Sequence, residues 1–320
     1  MSPFSEQFGG AILNATIGLY SQATIRPRDD GQIVLRAIDR NEDETFAVAE
    51  HLPTNSGLVL HKGVYNRIVQ EFTKKPMGFE LITWSDAPPG SGLGTSSTLV
   101  VAILGAFVEW LKLPLGEYDI AHLAYEIERE DLAMAGGKQD QYAATFGGVN
   151  FMEFTNENVI VNPLRIKEKY LSELEHNLVL LYTNTSRVSA EIISKQVANV
   201  KQEREQSVQA MHHIKKGAFA MKEAILKGQL DDIGNLLHEG WQSKKQMAEG
   251  VSNERIDHLY QTAMEAGATG GKISGAGGGG YLMFYCPGNT RFQVIRALSG
   301  ENIEVQRFNF TPQGLTTWTI

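Results

Sequence analysis

A single cysteine, Cys286, stands in 320 residues, so no internal disulfide framework is available and a reducing compartment is expected. Placed in an apolar run just before Pro287, it reads as a small buried hydrophobe. Long apolar runs are also missing: the longest, Leu99 to Val108, is interrupted by Gly105 and is too short to span a bilayer. No secretory leader pattern is visible, and the expectation is a soluble, cytoplasmic protein. Positive charge is not in excess, since 29 Lys and Arg stand against 37 Asp and Glu for a net charge of -8. Nucleic acid is therefore not an expected partner, and a phosphorylated ligand must be held by local N–H groups and a few placed cations. Internal repeats and low-complexity segments are absent as well.

The densest signal is Pro89-Gly90-Ser91-Gly92-Leu93-Gly94-Thr95-Ser96-Ser97, which joins a strand-like run, Phe79 to Trp84, to an apolar helical run, Leu99 to Leu111. A glycine-rich turn that opens a helix lets backbone approach an anion while the first helical N–H groups and the dipole face it. The three hydroxyls can cap the helix, bond a phosphate oxygen or join the oxygen shell of Mg²⁺. No Lys follows the last glycine, so this is not a Walker loop, and the glycine spacing does not fit the dinucleotide fingerprint.

Strands are predicted within Ala11–Ile25, Gln32–Ile38, Val149–Phe154, Val159–Val161, His176–Thr183, Tyr281–Tyr285 and Ile303–Phe308. Helices are predicted at 58–72, around Ile120, Leu123, Ala124 and Ile127, and at Gln141–Thr145, Ala190–Lys227, Asp231–Glu249, Glu254–Ala266 and Thr290–Leu298. This mixture without regular βαβ alternation indicates an α+β fold, and the length suits two domains, 1–171 and 172–320. A second glycine cluster, Gly270 to Gly280, precedes a strand, which fails the dinucleotide context; it reads as a turn that another backbone or a ligand approaches closely, or as a tight β-connection. Asp140, at a helix start behind Gly136-Gly137, is a candidate proton acceptor as well as a plain cap. His212 and His213 have no ligand partner one helical turn away and read as a solvated helix face.

These segments together resemble the GHMP kinases, the family of galactokinase, homoserine kinase, mevalonate kinase and phosphomevalonate kinase. The loop at residues 89–97 matches the family's P-x-G-x-G-L-G-S-S-A, and Lys272 to Gly280 matches K-x-[ST]-G-A-G-G-G-G. The resemblance implies two α+β domains, the first of the ribosomal protein S5 domain 2 type and the second ferredoxin-like. It implies ATP and Mg²⁺ as well. Pro89, Gly90, Ser91, Gly92, Leu93, Gly94, Thr95, Ser96 and Ser97, with Gly275, Gly277 and Gly278, would hold the nucleotide. Asp140 would be the catalytic base, in the place of the family's S-G-V-D, with Phe146-Gly147-Gly148 behind it. Glu128-Arg129 stands where the family carries its Mg²⁺-binding Glu-Arg, so Ser96 and Glu128 are the implied metal ligands. The stretch that follows is one residue longer here, which leaves Glu130 as the alternative.

Closer matches at residues 8–17, 86–89, 126–129, 136–144 and 185–187 resemble the heptose-phosphate kinase branch of that family. They imply transfer of the ATP γ-phosphate to the anomeric hydroxyl of a sugar phosphate, D-glycero-D-manno-heptose 7-phosphate, giving a 1,7-bisphosphate. Lys138 and Arg187 would contact the sugar's own phosphate. A homodimer is an open assembly. A kinase of a free sugar of the fucose or galactose type, and a silent nucleotide- or sugar-binding regulator, stand as alternatives. Family members carry a further strand and turn, resembling P-L-R-I-S-F-x-G-G-G-T-D, before the segment matching Ser2-Pro3-Phe4, and the first domain is therefore expected to lack one strand.

Overall fold

The computed structural model describes residues 4–156, 158–185, 189–202 and 205–320. In chain order the elements are α1 (Phe4–Phe8), β1 (Gly10–Ala15), β2 (Ser21–Pro27), β3 (Gln32–Ala37), β4 (Glu42–Ala47), α2 (Val59–Ile68), β5 (Phe79–Ser85) and α3 (Thr95–Leu111). Then come α4 (Glu117–Glu126), α5 (Gln139–Phe146), β6 (Val149–Phe154), β7 (Val159–Pro163), α6 (Glu168–Asn177), β8 (Leu178–Tyr182), α7 (Ser189–Lys201) and α8 (Glu205–Lys227). The chain ends with α9 (Asp232–Lys245), α10 (Glu254–Glu265), β9 (Gly270–Ile273), β10 (Tyr281–Tyr285), α11 (Thr290–Leu298) and β11 (Glu304–Gln306). Helices and strands mix without βαβ alternation, and the fold is α+β. Among the described residues no helix is long and apolar enough to cross a membrane.

Two compact units share the chain, each assembled from separated segments. The smaller unit is Leu19–Pro88, Gly94–Gly147 and Gln313–Ile320; the larger is Met1–Gly18, Pro89–Leu93 and Gly148–Pro312. These units interleave along the sequence and so differ from a single cut after residue 171.

In the smaller unit the sheet order is β2-β5-β3-β4, with β5 parallel to β3 and antiparallel to β2. The central strand β5 buries Phe79, Leu81 and Thr83 on one face, the period-2 pattern of a sheet covered by helices. Helix α3 lays Val100, Ile103, Leu104 and Phe107 into the same core as Ile33, Leu35, Tyr65 and Phe79. Each such side chain, fully buried, contributes about 1.5–3 kcal/mol, so the start of α3 is anchored by the body of the helix. The helix stops where Lys112 takes a left-handed conformation, φ 53, two residues before Pro114. Helix α4 starts where the Asp119 carboxylate accepts the Gly116 N–H at 2.8 Å and runs on into a π-helical turn, Ile127–Asp131.

The larger unit holds two sheets, β1-β6-β7 and β11-β8-β10-β9, the latter wholly antiparallel. Its main core gathers Val179, Leu181, Trp241, Leu259, Leu282 and Phe284. Cys286 is buried there, its thiol pushed up to about 12 by burial. Asn253 caps α10 by accepting the Ile256 N–H at 3.0 Å, as its position predicts.

Several predicted boundaries moved. The run Ala11–Ile25 is two strands, β1 and β2, that belong to different sheets. The single helix expected over Ala190–Lys227 is two, α7 and α8. Neither β4 nor α6 was anticipated: Glu42–Ala47 is acidic and half-exposed, and Glu168–Asn177 buries only Leu174 and Asn177, so both lack an apolar signature. His212 is not merely solvated, since its ring packs edge-on against Phe4 and Phe8 at 4.9 and 5.0 Å.

Candidate active site

At the head of α3, Gly94 sits at φ 78, a left-handed conformation that costs a side chain about 1–2 kcal/mol. Its carbonyl accepts both the Thr98 N–H at 2.9 Å and the Thr98 hydroxyl at 3.0 Å, closing the first turn. Space matters as much as conformation here, because a Cβ on Gly94 would lie 3.0 Å from both Cβ and Cγ of Asp140. The Asp140 carboxyl is therefore packed against the turn that opens α3, where helix geometry leaves N–H groups unused by the helix itself and concentrates positive potential.

Glu128 projects from the π-helical turn into the same region and is fully buried. Its Oε1 accepts the Ser96 hydroxyl at 2.9 Å, and its Oε2 accepts the Ser97 hydroxyl at 2.6 Å together with the Gln141 amide. Arg129 Nη2 lies 3.7 Å from that Oε2. A π-helical turn widens the helix locally and recurs at functional positions; this one is clamped from outside by Arg67 of α2, whose guanidinium donates to both Asp131 oxygens at 2.8 and 2.7 Å and to Glu126 at 2.8 Å.

Asp140, at the second position of α5, has its carboxyl raised above the ordinary aspartate range, first by burial and then by the Glu128 charge, against a hydrogen bond from Gln139 and the nearby Arg129. A raised carboxyl is better matched to accepting a proton near neutral pH than a solvated one. The loop before it is folded around Arg129, which donates to the Gly137 carbonyl at 3.2 Å and to those of Met134 and Ala135 at 3.4 Å. Lys138, the residue preceding α5, holds its ammonium 4.9 Å from the centre of the Tyr125 ring.

In the larger unit, Pro89–Leu93 lies against the glycine turn that connects β9 to β10. Tyr281 N–H donates to the Ser91 carbonyl at 3.0 Å, and a Cβ on Gly280 would fall 2.2 Å from that same oxygen. Gly92 and Gly275 meet backbone to backbone, each one's would-be Cβ 2.7 Å from an atom of the other's segment. The glycines of residues 275–280 thus serve both readings of the sequence: they form a tight connection between antiparallel neighbours and admit a second backbone. Lys244, at the end of α9, donates to the carbonyls of Ile273 and Gly275; burial, helped by Lys272, lowers its ammonium to about 7. Burial lowers the Lys272 ammonium too.

The structure brings Gly94, Ser96, Ser97, Glu128 and Asp140 together in one unit, where Glu128 faces the loop hydroxyls and Glu130 is exposed. Ser97, expected at the nucleotide, commits its hydroxyl to Glu128. Arg187 lies outside the described residues. Gln141, Arg67 and Lys244 were missed. For Gln141 the neighbouring Asp140 offered a hint, whereas Arg67 and Lys244 sit far away in sequence with no local signal. Glu128 and Ser96 present the hard oxygen donors that suit Mg²⁺, and Gln141 Oε1 is a buried acceptor without a protein partner, which fits a cation that keeps its waters. Among the described residues no group of three or more His, Cys, Asp or Glu gathers as a metal cage, and Mg²⁺ carried on phosphates needs none.

Comparison with known proteins shows the family. Residues 59–148 match the GHMP kinases N terminal domain, and residues 221–304 match the GHMP kinases C terminal domain. The D-glycero-alpha-D-manno-heptose 7-phosphate kinase of Campylobacter jejuni is 48% identical over 99% of this chain and 93% of its own length. A crystal structure of a D-glycero-D-manno-heptose 1-phosphate kinase from Bacteroides thetaiotaomicron is 42% identical and superposes with a TM-score of 0.85, covering 100% of this chain and 94% of the other. The Lactococcus lactis galactokinase, crystallised with galactose, shares the fold at 19% identity, with a TM-score of 0.78 over 95% of this chain and 89% of that one. With a glycine-opened helix, a buried carboxylate on its hydroxyls and both family domains matched in order, the chain belongs to the GHMP kinases.

Proposed function

We propose that this GHMP kinase transfers the γ-phosphate of ATP to the anomeric hydroxyl of a sugar phosphate, with D-glycero-D-manno-heptose 7-phosphate as acceptor and the 1,7-bisphosphate as product. The observation that carries the chemistry is the Asp140 carboxyl packed on Gly94 at the head of α3, beside Glu128 bonded to Ser96. The acceptor is supported by the names of the two relatives at 48% and 42% identity and by the motifs shared along nearly the whole sequence.

The first turn of α3 receives the ATP phosphates on its N–H groups, with Gly94 allowing close approach. Asp140 accepts the proton of the sugar's anomeric hydroxyl as that oxygen bonds to the γ-phosphorus, and the bond from phosphorus to the bridging oxygen breaks to release ADP. Glu128 and Ser96 hold Mg²⁺, which when bound offsets the charge of the β- and γ-phosphates. Lys138 and Arg187 receive the sugar's distal phosphate. Gly275, Gly277 and Gly278 keep the turn that backs Pro89–Leu93. The single cysteine supports a cytoplasmic setting, and the family's two domains divide at about residue 171.

Steady-state ADP release tests the reading against heptose 7-phosphate, heptose 1-phosphate, fucose, galactose and mannose 6-phosphate. The expected outcome is a kcat/KM for the 7-phosphate well above every other acceptor. Preference for a free sugar would replace the acceptor, and no stimulation by any sugar would replace the function.

A further inference from the structure

Glu128 is held by more than the loop it serves. Its two oxygens are not equivalent: Oε2 takes two donors, Ser97 Oγ and Gln141 Nε2, whereas Oε1 takes Ser96 Oγ alone. Gln141, the third residue of α5, is fully buried, and its own helix fixes it further, since Thr145 donates to the Gln141 carbonyl at 2.8 Å. The amide's other end, Oε1, is buried with no protein donor. A buried acceptor left so costs about 1–3 kcal/mol, an arrangement that a core would avoid with leucine or methionine.

We propose that Gln141 is the positioning residue of the cation site: its amide N–H fixes Glu128 Oε2 so that Glu128 Oε1 and Ser96 Oγ face the cation, and its Oε1 accepts a hydrogen bond from a water of the cation's shell. Ligating carboxylates need such outer partners, and losing one costs about 10–100-fold in metal affinity. Ser97 donates to the same oxygen as Gln141, so α3 and α5 fix a carboxylate supplied by the π-helical turn after α4. The same residue links the two chemical groups of the site, because Gln141 directly follows Asp140: whatever orients α5 for proton transfer orients Glu128 for the cation.

This inference rests on the Mg·ATP reading, so its test is independent of the sugar. Mn²⁺ serves as the probe, and free Mn²⁺ is followed by electron paramagnetic resonance while protein is titrated in the presence of a non-hydrolysable ATP analogue. Gln141→Met keeps the shape and removes both polar ends; Gln141→Leu removes both ends from a more compact side chain. Both variants are expected to weaken Mn²⁺ binding about 10–100-fold, with affinity for the metal-free analogue unchanged. The Mg²⁺ concentration for half-maximal ADP release should rise in parallel, while KM for the sugar stays put. Native Mn²⁺ affinity in folded Gln141→Met would overturn the proposal. If that variant does not fold, native affinity in Gln141→Leu would overturn it equally. Weakened Mn²⁺ binding in a protein that phosphorylates no heptose would sustain the inference and remove only the assigned acceptor.

Discussion

Replacing Gly94 by alanine probes conformation and site geometry with a single methyl group. At φ 78 the new side chain costs about 1–2 kcal/mol in backbone strain, equivalent to a fall in Tm of roughly 2–8 °C for a unit of this size. The methyl would start 3.0 Å from Asp140 Cβ and Cγ, whereas carbon atoms settle at about 3.5–4.0 Å. Asp140 must therefore move by about 0.5–1 Å, and a displacement of that size at a reacting group lowers turnover by about 100-fold. Gly137→Ala is the control, because it lies in the loop leading to Asp140, has no positive φ, and its Cβ would meet nothing within 4 Å. Thermal unfolding by circular dichroism gives the first quantity, and ADP release at saturating ATP gives the second. A Gly94→Ala protein that loses stability yet keeps wild-type kcat would refute the placement of Asp140 at the reacting atoms, as would equal losses in both variants.

Asp140→Asn is expected to lower kcat by about 10²–10⁴ while leaving nucleotide binding intact by calorimetry. Because burial and Glu128 raise this carboxyl, its charged form costs stability that is fully felt above the folded value and vanishes below the ordinary aspartate value; the Asn variant should thus melt higher than wild type at neutral pH and equally at strongly acidic pH. The same raised carboxyl places the acid limb of wild-type kcat/KM above the ordinary aspartate range, and a limb at or below that range would contradict the assignment. Glu128→Gln should raise the Mg²⁺ requirement sharply, with Glu130→Gln near wild type in the same titration; the reverse order would move the ligand to Glu130. Gly280→Ala forces a Cβ onto the Ser91 carbonyl, 2.2 Å away, so KM for ATP should rise with little change in KM for the sugar, and an unchanged KM for ATP would detach that turn from the nucleotide.

The glycine and hydroxyl pattern at residues 89–97 was legible because its meaning is local: positive φ at Gly94 and a helix start need only neighbouring residues. Asp140 was legible through the glycines before and after its short helix. Glu128 was legible in principle, since it falls four residues after Ala124 and seven after Ala121, both buried, and a carboxylate on an apolar helix face is a functional signal. The one-residue difference that kept Glu130 open is a matter of how the loop 132–138 folds around Arg129, which no periodicity reports. Gln141 donating to Glu128 across thirteen residues, and Ser91 accepting from Tyr281 across the greater part of the chain, are tertiary facts. The interleaved units hide for the same reason: β1 and β2 read as one apolar run until their partners, β6 and β5, are known.

The most direct test follows the transferred phosphorus itself. Incubating the protein with Mg·ATP and D-glycero-D-manno-heptose 7-phosphate and recording ³¹P spectra distinguishes transfer to carbon-bound oxygen from hydrolysis. The expected result is one new monoester resonance coupled to the anomeric proton, growing in step with ADP while the 7-phosphate signal persists. Inorganic phosphate in its place, or a new ester coupled to any other sugar proton, would contradict the assignment of this chain as an anomeric sugar-phosphate kinase.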